Sequence, residues 1–187
     1  PSYSATIGKL WLERGGAYAV ANIRGGGEFG PRWHKAALKT NRQRAYNDFI
    51  AVAEDLAKRG IASPKRLGIS GGSNGGLLVG AIFTQRPDLM NAVVCRVPLL
   101  DMLRYSKLLA GASWVGEYGD PEDSIMREAI LKYSPYQNMF PGRKYPKVFI
   151  ETSTKDDRVH PGHARKMVAR MREQGHPVLY FENTEGG

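Results

Sequence analysis

Ser73 lies in the run Gly71-Gly72-Ser73-Asn74-Gly75, a G-x-S-x-G spacing. The run follows Arg66–Ser70, which reads as a buried strand, and precedes Leu77–Thr84, an apolar helix-like stretch closed by Pro87. Strand, serine and helix in that order are the setting in which this spacing marks a nucleophile. The reason is steric: the serine sits on a strained turn so that its hydroxyl projects into a cleft. Side chains two positions before and two after it would collide, so Gly71 and Gly75 fill those places. The helix beyond Ser73 aims free N–H groups and its positive dipole end at the reaction centre. The Asn74 N–H is therefore expected to stabilise the oxyanion of a tetrahedral intermediate. The bland alternative is a glycine-rich turn that only packs a helix on a strand. A phosphate loop is disfavoured, because no lysine follows in the required register.

The companion acid is Asp156, in Asp156-Asp157-Arg158, after a second predicted strand at Lys147–Glu151. Serine, then aspartate, then histidine is the chain order of α/β-hydrolases. The histidine is expected in the loop after the next strand, Val178–Phe181, and the sequence stops in that loop at Gly187. His34, His160, His163 and His176 all come too early for this order. His160 and His163 follow Asp156 closely, and a metal pair with it is the less favoured reading; His34 and His176 read as surface or packing residues. The general base is expected just past Gly187 in a longer parent protein. No metal site and no cofactor is expected.

These side chains need a frame. Ala17–Ile23, Arg66–Ser70, Ala92–Val97, Lys147–Glu151 and Val178–Phe181 read as short buried strands. Between them, Asp48–Lys58, Leu77–Thr84, Met102–Ala110 and Gly162–Gln174 read as helices, with one more short helix near Ser124–Leu131 in an otherwise irregular Gly111–Pro146. Strands alternating with helices of crossover length predict an α/β fold, a mostly parallel sheet with helices on both faces. Ligands of such sheets sit at the carboxyl ends of the strands, where the Ser73 and Asp156 loops both fall.

Five segments resemble the catalytic domain of prolyl oligopeptidases. They are Ile23–Gly30 with Trp33-His34, Gly71–Val79, Arg86–Leu89, Lys132–Pro135 and Asp156–Val159, in the family's order across nearly the whole chain. The resemblance implies a serine peptidase with an α/β-hydrolase domain capped by a β-propeller that admits only short peptides. It implies Ser73 as nucleophile and selects Asp156, rather than Asp157, as the triad acid. The family's histidine sits in a Gly-His-Gly pattern, and this chain ends on the Gly-Gly before it. Residues 1–187 are thus expected to be a partial catalytic domain, without the propeller and the histidine segment of the parent. Gly111–Gly119 resembles the segment whose tryptophan stacks on the substrate proline, which implies Trp114 for the P1 pocket with Tyr118 nearby. Arg158 matches an arginine that bonds a substrate carbonyl. Arg24, Glu28 and Trp33 read as loop architecture. The family's second oxyanion donor, an upstream tyrosine, has no match here; Tyr3 does not fit it.

Composition narrows the rest. The chain has 187 residues, 42% hydrophobic and 24% charged, which suits one packed domain. A single cysteine, Cys95, excludes an internal disulfide framework and a cysteine-based zinc site. The net charge of +9 raises nucleic acid and acidic membranes as partners. The basic residues are scattered, apart from Arg42-Gln43-Arg44 and Arg165–Arg172, and read as a solvated surface; neither nucleic acid nor membrane is expected as a partner. No apolar run approaches a membrane span, and the opening at Pro1 says nothing about compartment. Three other readings stay open: a sister oligopeptidase with basic or broad P1 preference, an esterase on the same fold, and a non-catalytic hydrolase-fold binding domain. An acid near Trp114 would be needed for a basic P1 residue, and Glu117 is the one at hand.

Overall fold

The computed structural model describes residues 4–186; Tyr3 and Gly187, both read above, lie outside the described residues. Four strands, β1 (Gly68–Gly72), β2 (Ala92–Arg96), β3 (Lys147–Ser153) and β4 (Val178–Asn183), form a parallel sheet in the order β1-β2-β3-β4. Gly72, Arg96, Glu151 and Phe181 lie in one row, so all four strands end on the same edge.

Seven helices accompany the strands: α1 (Ala5–Leu10), α2 (Pro31–Lys35), α3 (Gln43–Lys58), α4 (Asn74–Gln85), α5 (Val115–Tyr118), α6 (Ser124–Leu131) and α7 (Gly162–Glu173). The crossover from β1 to β2 is α4, and that from β3 to β4 is α7. Both lie on one face. The Cys95 thiol of β2 meets the Gly76 carbonyl of α4, and Arg165 of α7 pairs with Glu182 of β4. That face buries Ile69, Val93, Cys95, Val148 and Ile150 under Leu77, Ile82, Met167 and Met171. Removing this apolar area from water is the main force holding helices to sheet.

The parallel sheet with crossover helices is the α/β arrangement the sequence predicts, and among the described residues the crossovers α4 and α7 share one face. The other face carries Phe149, Leu179 and Phe181, and Leu179 is 70% exposed. Two expectations are corrected, and the first is Ala17–Ile23, predicted as a buried strand. It pairs with no strand, and Tyr18 and Val20 are exposed. Apolar residues favour an extended backbone, but a ladder also needs a partner edge. The predicted helix at Met102–Ala110 is likewise two 3₁₀ turns, Tyr105–Lys107 and Leu109–Trp114. Non-local bonds win there: Met102 N–H donates to Ser134 Oγ, and the Tyr105 hydroxyl to the Gly119 carbonyl. Among the described residues no helix is long and apolar enough to cross a membrane.

Candidate active site

Ser73 stands between β1 and α4 with φ 56° and ψ −116°, a conformation a non-glycine residue adopts only under constraint. The constraint is visible on both sides. The Ser73 N–H donates to the Arg96 carbonyl at the end of β2 (2.9 Å), and the Ser73 carbonyl accepts the first bond of α4 from Leu77 N–H (3.1 Å). A β-carbon on Gly71 would lie 2.2 Å from the Gly75 carbonyl oxygen, so position 71 admits only glycine. Gly75 behaves differently from the steric expectation: a β-carbon there meets nothing within 4 Å. The second crowded position is Gly76, whose β-carbon would lie 2.8 Å from Pro98. Gly76 sets how closely α4 approaches the exit of β2. Val97, next to that contact, is itself held at φ 37°, so both strand exits that frame Ser73 carry backbone strain.

Ser73 is exposed, and its turn opens at the carboxyl edge of the sheet. Asn74 is the first residue of α4, and its N–H donates to no group among the described residues. It has the free-donor character an oxyanion site needs. Asp156 follows β3 on the same edge. It is half-buried, and its Oδ1 accepts from the amides of Arg158 (2.9 Å) and Val159 (2.8 Å), which fixes the turn. Asp157 is exposed and makes no hydrogen bond among the described residues. Arg158 is also exposed, and its guanidinium has no partner among them. No hydrogen bond joins Ser73 to Asp156 among the described residues.

None of the four histidines bonds either residue. Nε2 of His34 pairs with Glu117 (2.8 Å). Nδ1 of His160 accepts from Gly162 N–H (2.9 Å), and Nε2 of His176 pairs with the Phe140 carbonyl (2.9 Å). His163, at the start of α7, is buried, and its Nδ1 accepts from the amides of Leu100 (3.3 Å) and Asp101 (3.1 Å). Burial pulls its pKa down to about 4 against the opposing pull of the Asp101 carboxylate, with His160 and Lys166 adding to the fall. It is a neutral core histidine.

Trp114 closes the second 3₁₀ turn and packs, partly buried, against the core. Tyr118, one turn on, is buried, stacks edge-on with Tyr105 (5.4 Å), and donates its hydroxyl to Asn74 Oδ1 (2.8 Å). The Trp114–Tyr118 segment therefore touches the residue after the nucleophile. Burial drives the Tyr118 phenol well above its ordinary pKa, so it serves as a neutral donor.

Sequence reasoning missed Arg42. Taken as part of a solvated basic cluster, it is 4% exposed. Its guanidinium donates to Glu117 Oε1 (2.5 Å) and to Asn74 Oδ1 (2.5 Å), and lies 4.9 Å over the Tyr118 ring. No spacing in the sequence links these positions; only the fold brings them together.

A parallel α/β sheet with a strained serine between strand and helix, and an aspartate at a later strand end, defines an α/β-hydrolase. The profile of the Prolyl oligopeptidase family matches residues 1–187, and the chain belongs to that family. It is 62% identical over its whole length to "Uncharacterized peptidase y4nA" of Sinorhizobium fredii, covering 26% of that protein. It is 46% identical to "Prolyl endopeptidase" of Elizabethkingia miricola, covering 27% of it. Among solved structures, the post-proline cleaving enzyme from Rickettsia typhi superposes with a TM-score of 0.95 at 48% identity, over 99% of this chain and 27% of that one. The chain thus spans about a quarter of the length of the relatives it matches.

Proposed function

We propose that this chain is part of the catalytic domain of a serine peptidase that cleaves short peptides after proline. The observation that carries the reading is Ser73, held at φ 56° on the strand-to-helix turn beside the free Asn74 amide. In the proposed acyl transfer, Ser73 Oγ attacks the carbonyl carbon after proline as a histidine takes its proton. The Asn74 N–H stabilises the resulting oxyanion, and Asp156 orients the histidine. Collapse of the intermediate breaks the C–N bond, the histidine returns its proton to the leaving amine, and water releases the acyl group. The base is proposed to follow Gly187. The Ser153 hydroxyl donates to the Gly186 carbonyl, three residues before Asp156, so the chain leaves β4 beside the acid. By itself the 187-residue chain is proposed to be inactive, because each of its four histidines is bonded elsewhere.

Trp114 is proposed as the flat apolar floor of the proline site, with Tyr118 beside it and Arg158 as an anchor for a substrate carbonyl. A β-propeller is proposed as the parent's second domain. The basic-P1 alternative loses ground to one observation: Glu117 is already paired with Arg42 and His34 and is not a free counter-charge. The test compares short proline and arginine peptides on the full-length protein and its Trp114→Ala variant. Selective loss of kcat/KM for proline substrates, equivalent to about 1–3 kcal/mol, is the expected result. Equal losses for both substrates contradict Trp114 as the proline floor, and a wild-type preference for arginine contradicts the post-proline reading.

A further inference from the structure

We infer that Arg42 is the positioning residue of the oxyanion site: its guanidinium fork fixes Asn74 and ties that residue to the substrate-binding segment Glu117-Tyr118. The inference rests on the serine peptidase reading above. Arg42 caps the N-terminus of α3, far in sequence from both partners, yet its side chain is only 5% exposed. One nitrogen of the fork, Nη2, donates to Asn74 Oδ1 and the other, Nη1, to Glu117 Oε1. The Asn74 carbonyl oxygen accepts a second bond, from the Tyr118 hydroxyl. With two donors on one oxygen, the Asn74 side chain has a single orientation, and its backbone is pinned at the first position of α4.

An oxyanion donor works by being in place before charge develops, with no reorganisation at the moment of reaction. A single hydrogen bond to an exposed asparagine would leave that residue free to turn. Two bonds from buried groups hold it, one of them from a permanently charged donor. The fork geometry matters: lysine could reach one partner but not clamp two at a fixed angle. Glu117 holds the other arm of Arg42 and is itself held by His34 on α2. The chain of contacts therefore runs from the loop after Arg24, itself anchored to Asp48 of α3 by three bonds, to the residue beside the nucleophile. Desolvation disfavours the charge on Arg42, yet its pKa is raised and the group stays ionised; its anionic partner is the Glu117 carboxylate. A buried cation at the start of α4 also adds to the positive end of that helix, the sign an oxyanion requires.

The test is a double-mutant cycle in the full-length protein on a short proline peptide, with Arg42→Met, Asn74→Ala and the pair, and Ser73→Ala as reference. Arg42→Met is expected to lower kcat by about 10- to 100-fold, short of the loss from deleting an oxyanion donor, with KM changed by less than about threefold. Because Arg42 acts through Asn74, the double variant is expected to lie within about threefold of the worse single variant. Arg42→Lys should recover part of kcat. If Arg42→Met does not fold, as read by its unfolding midpoint, Arg42→Lys carries the same cycle. Wild-type kcat in the Arg42 variant, or losses that multiply with those of Asn74→Ala, overturn the assignment while leaving the peptidase reading intact. Cleavage that does not depend on Ser73 overturns both.

Discussion

Two adjacent carboxylates leave β3, and they differ in what holds them. Asp156 has its Oδ1 engaged by two backbone amides of its own turn, while Asp157 is exposed and unbonded. A carboxylate fixed by amides keeps its orientation, which a triad acid requires. Asp156→Asn is therefore expected to lower kcat by about 10⁴-fold, and Asp157→Asn by little. Steady-state rates of the two variants check this; equal losses contradict the assignment. His163 offers a separate measurement. Its folded pKa is depressed to about 4, against about 6.5 in an unfolded chain. Between these values the unfolded state binds the extra proton, so stability falls as pH drops from about 6.5 to 4 and is fully retained above. The loss is on the order of 3 kcal/mol. His163→Gln, which keeps an acceptor for the Leu100 and Asp101 amides but cannot charge, should flatten the urea midpoint across that window. An unchanged pH slope in the variant contradicts this account. Ser73 and Asn74 are singled out by the G-x-S-x-G spacing, and Asp156 is chosen over Asp157 by the family resemblance. Arg42 was not legible in the sequence, because its partners are 32 and 75 residues away and burial of a charge leaves no periodicity.

The nucleophile turn shows how local sterics are shared between elements. Gly71 and Gly75 bracket the serine symmetrically in sequence, but the crowding is one-sided. A β-carbon at 71 strikes the Gly75 backbone, and one at 75 finds open space. Gly71→Ala is expected to cost about 3 kcal/mol or more by overpacking against backbone that cannot yield. Gly75→Ala, within α4, should leave the unfolding midpoint unchanged or raise it by the equivalent of up to about 1 kcal/mol of helix propensity. Midpoints in urea for the two variants decide this, and comparable destabilisation by both contradicts the one-sided geometry. Helices with a clear apolar stripe were readable to within a few residues, and Ser124–Leu131 coincides with α6. The elements that sequence misplaced depend on distant partners. Ala17–Ile23 has strand composition but no ladder, and Met102–Ala110 yields its helical bonds to Ser134 and Gly119.

Among the described residues, the molecule is a four-stranded parallel sheet with crossover helices, and its candidate site residues gather on one edge. The alternation of strands and helices made that architecture readable, since a parallel connection needs a crossover. The net charge of +9 misled in one respect only: it hid a buried arginine among surface ones. What unifies these features is a serine set on a strained turn at the sheet edge, with an acid two strands away. The measurement that tests this most directly is kcat of the full-length protein for a short proline peptide, with Ser73 intact and as Ser73→Ala at matched stability. The account predicts a loss on the order of 10⁶-fold, the size expected when a triad nucleophile is removed. A Ser73→Ala protein that still cleaves after proline at a rate near wild type would contradict it.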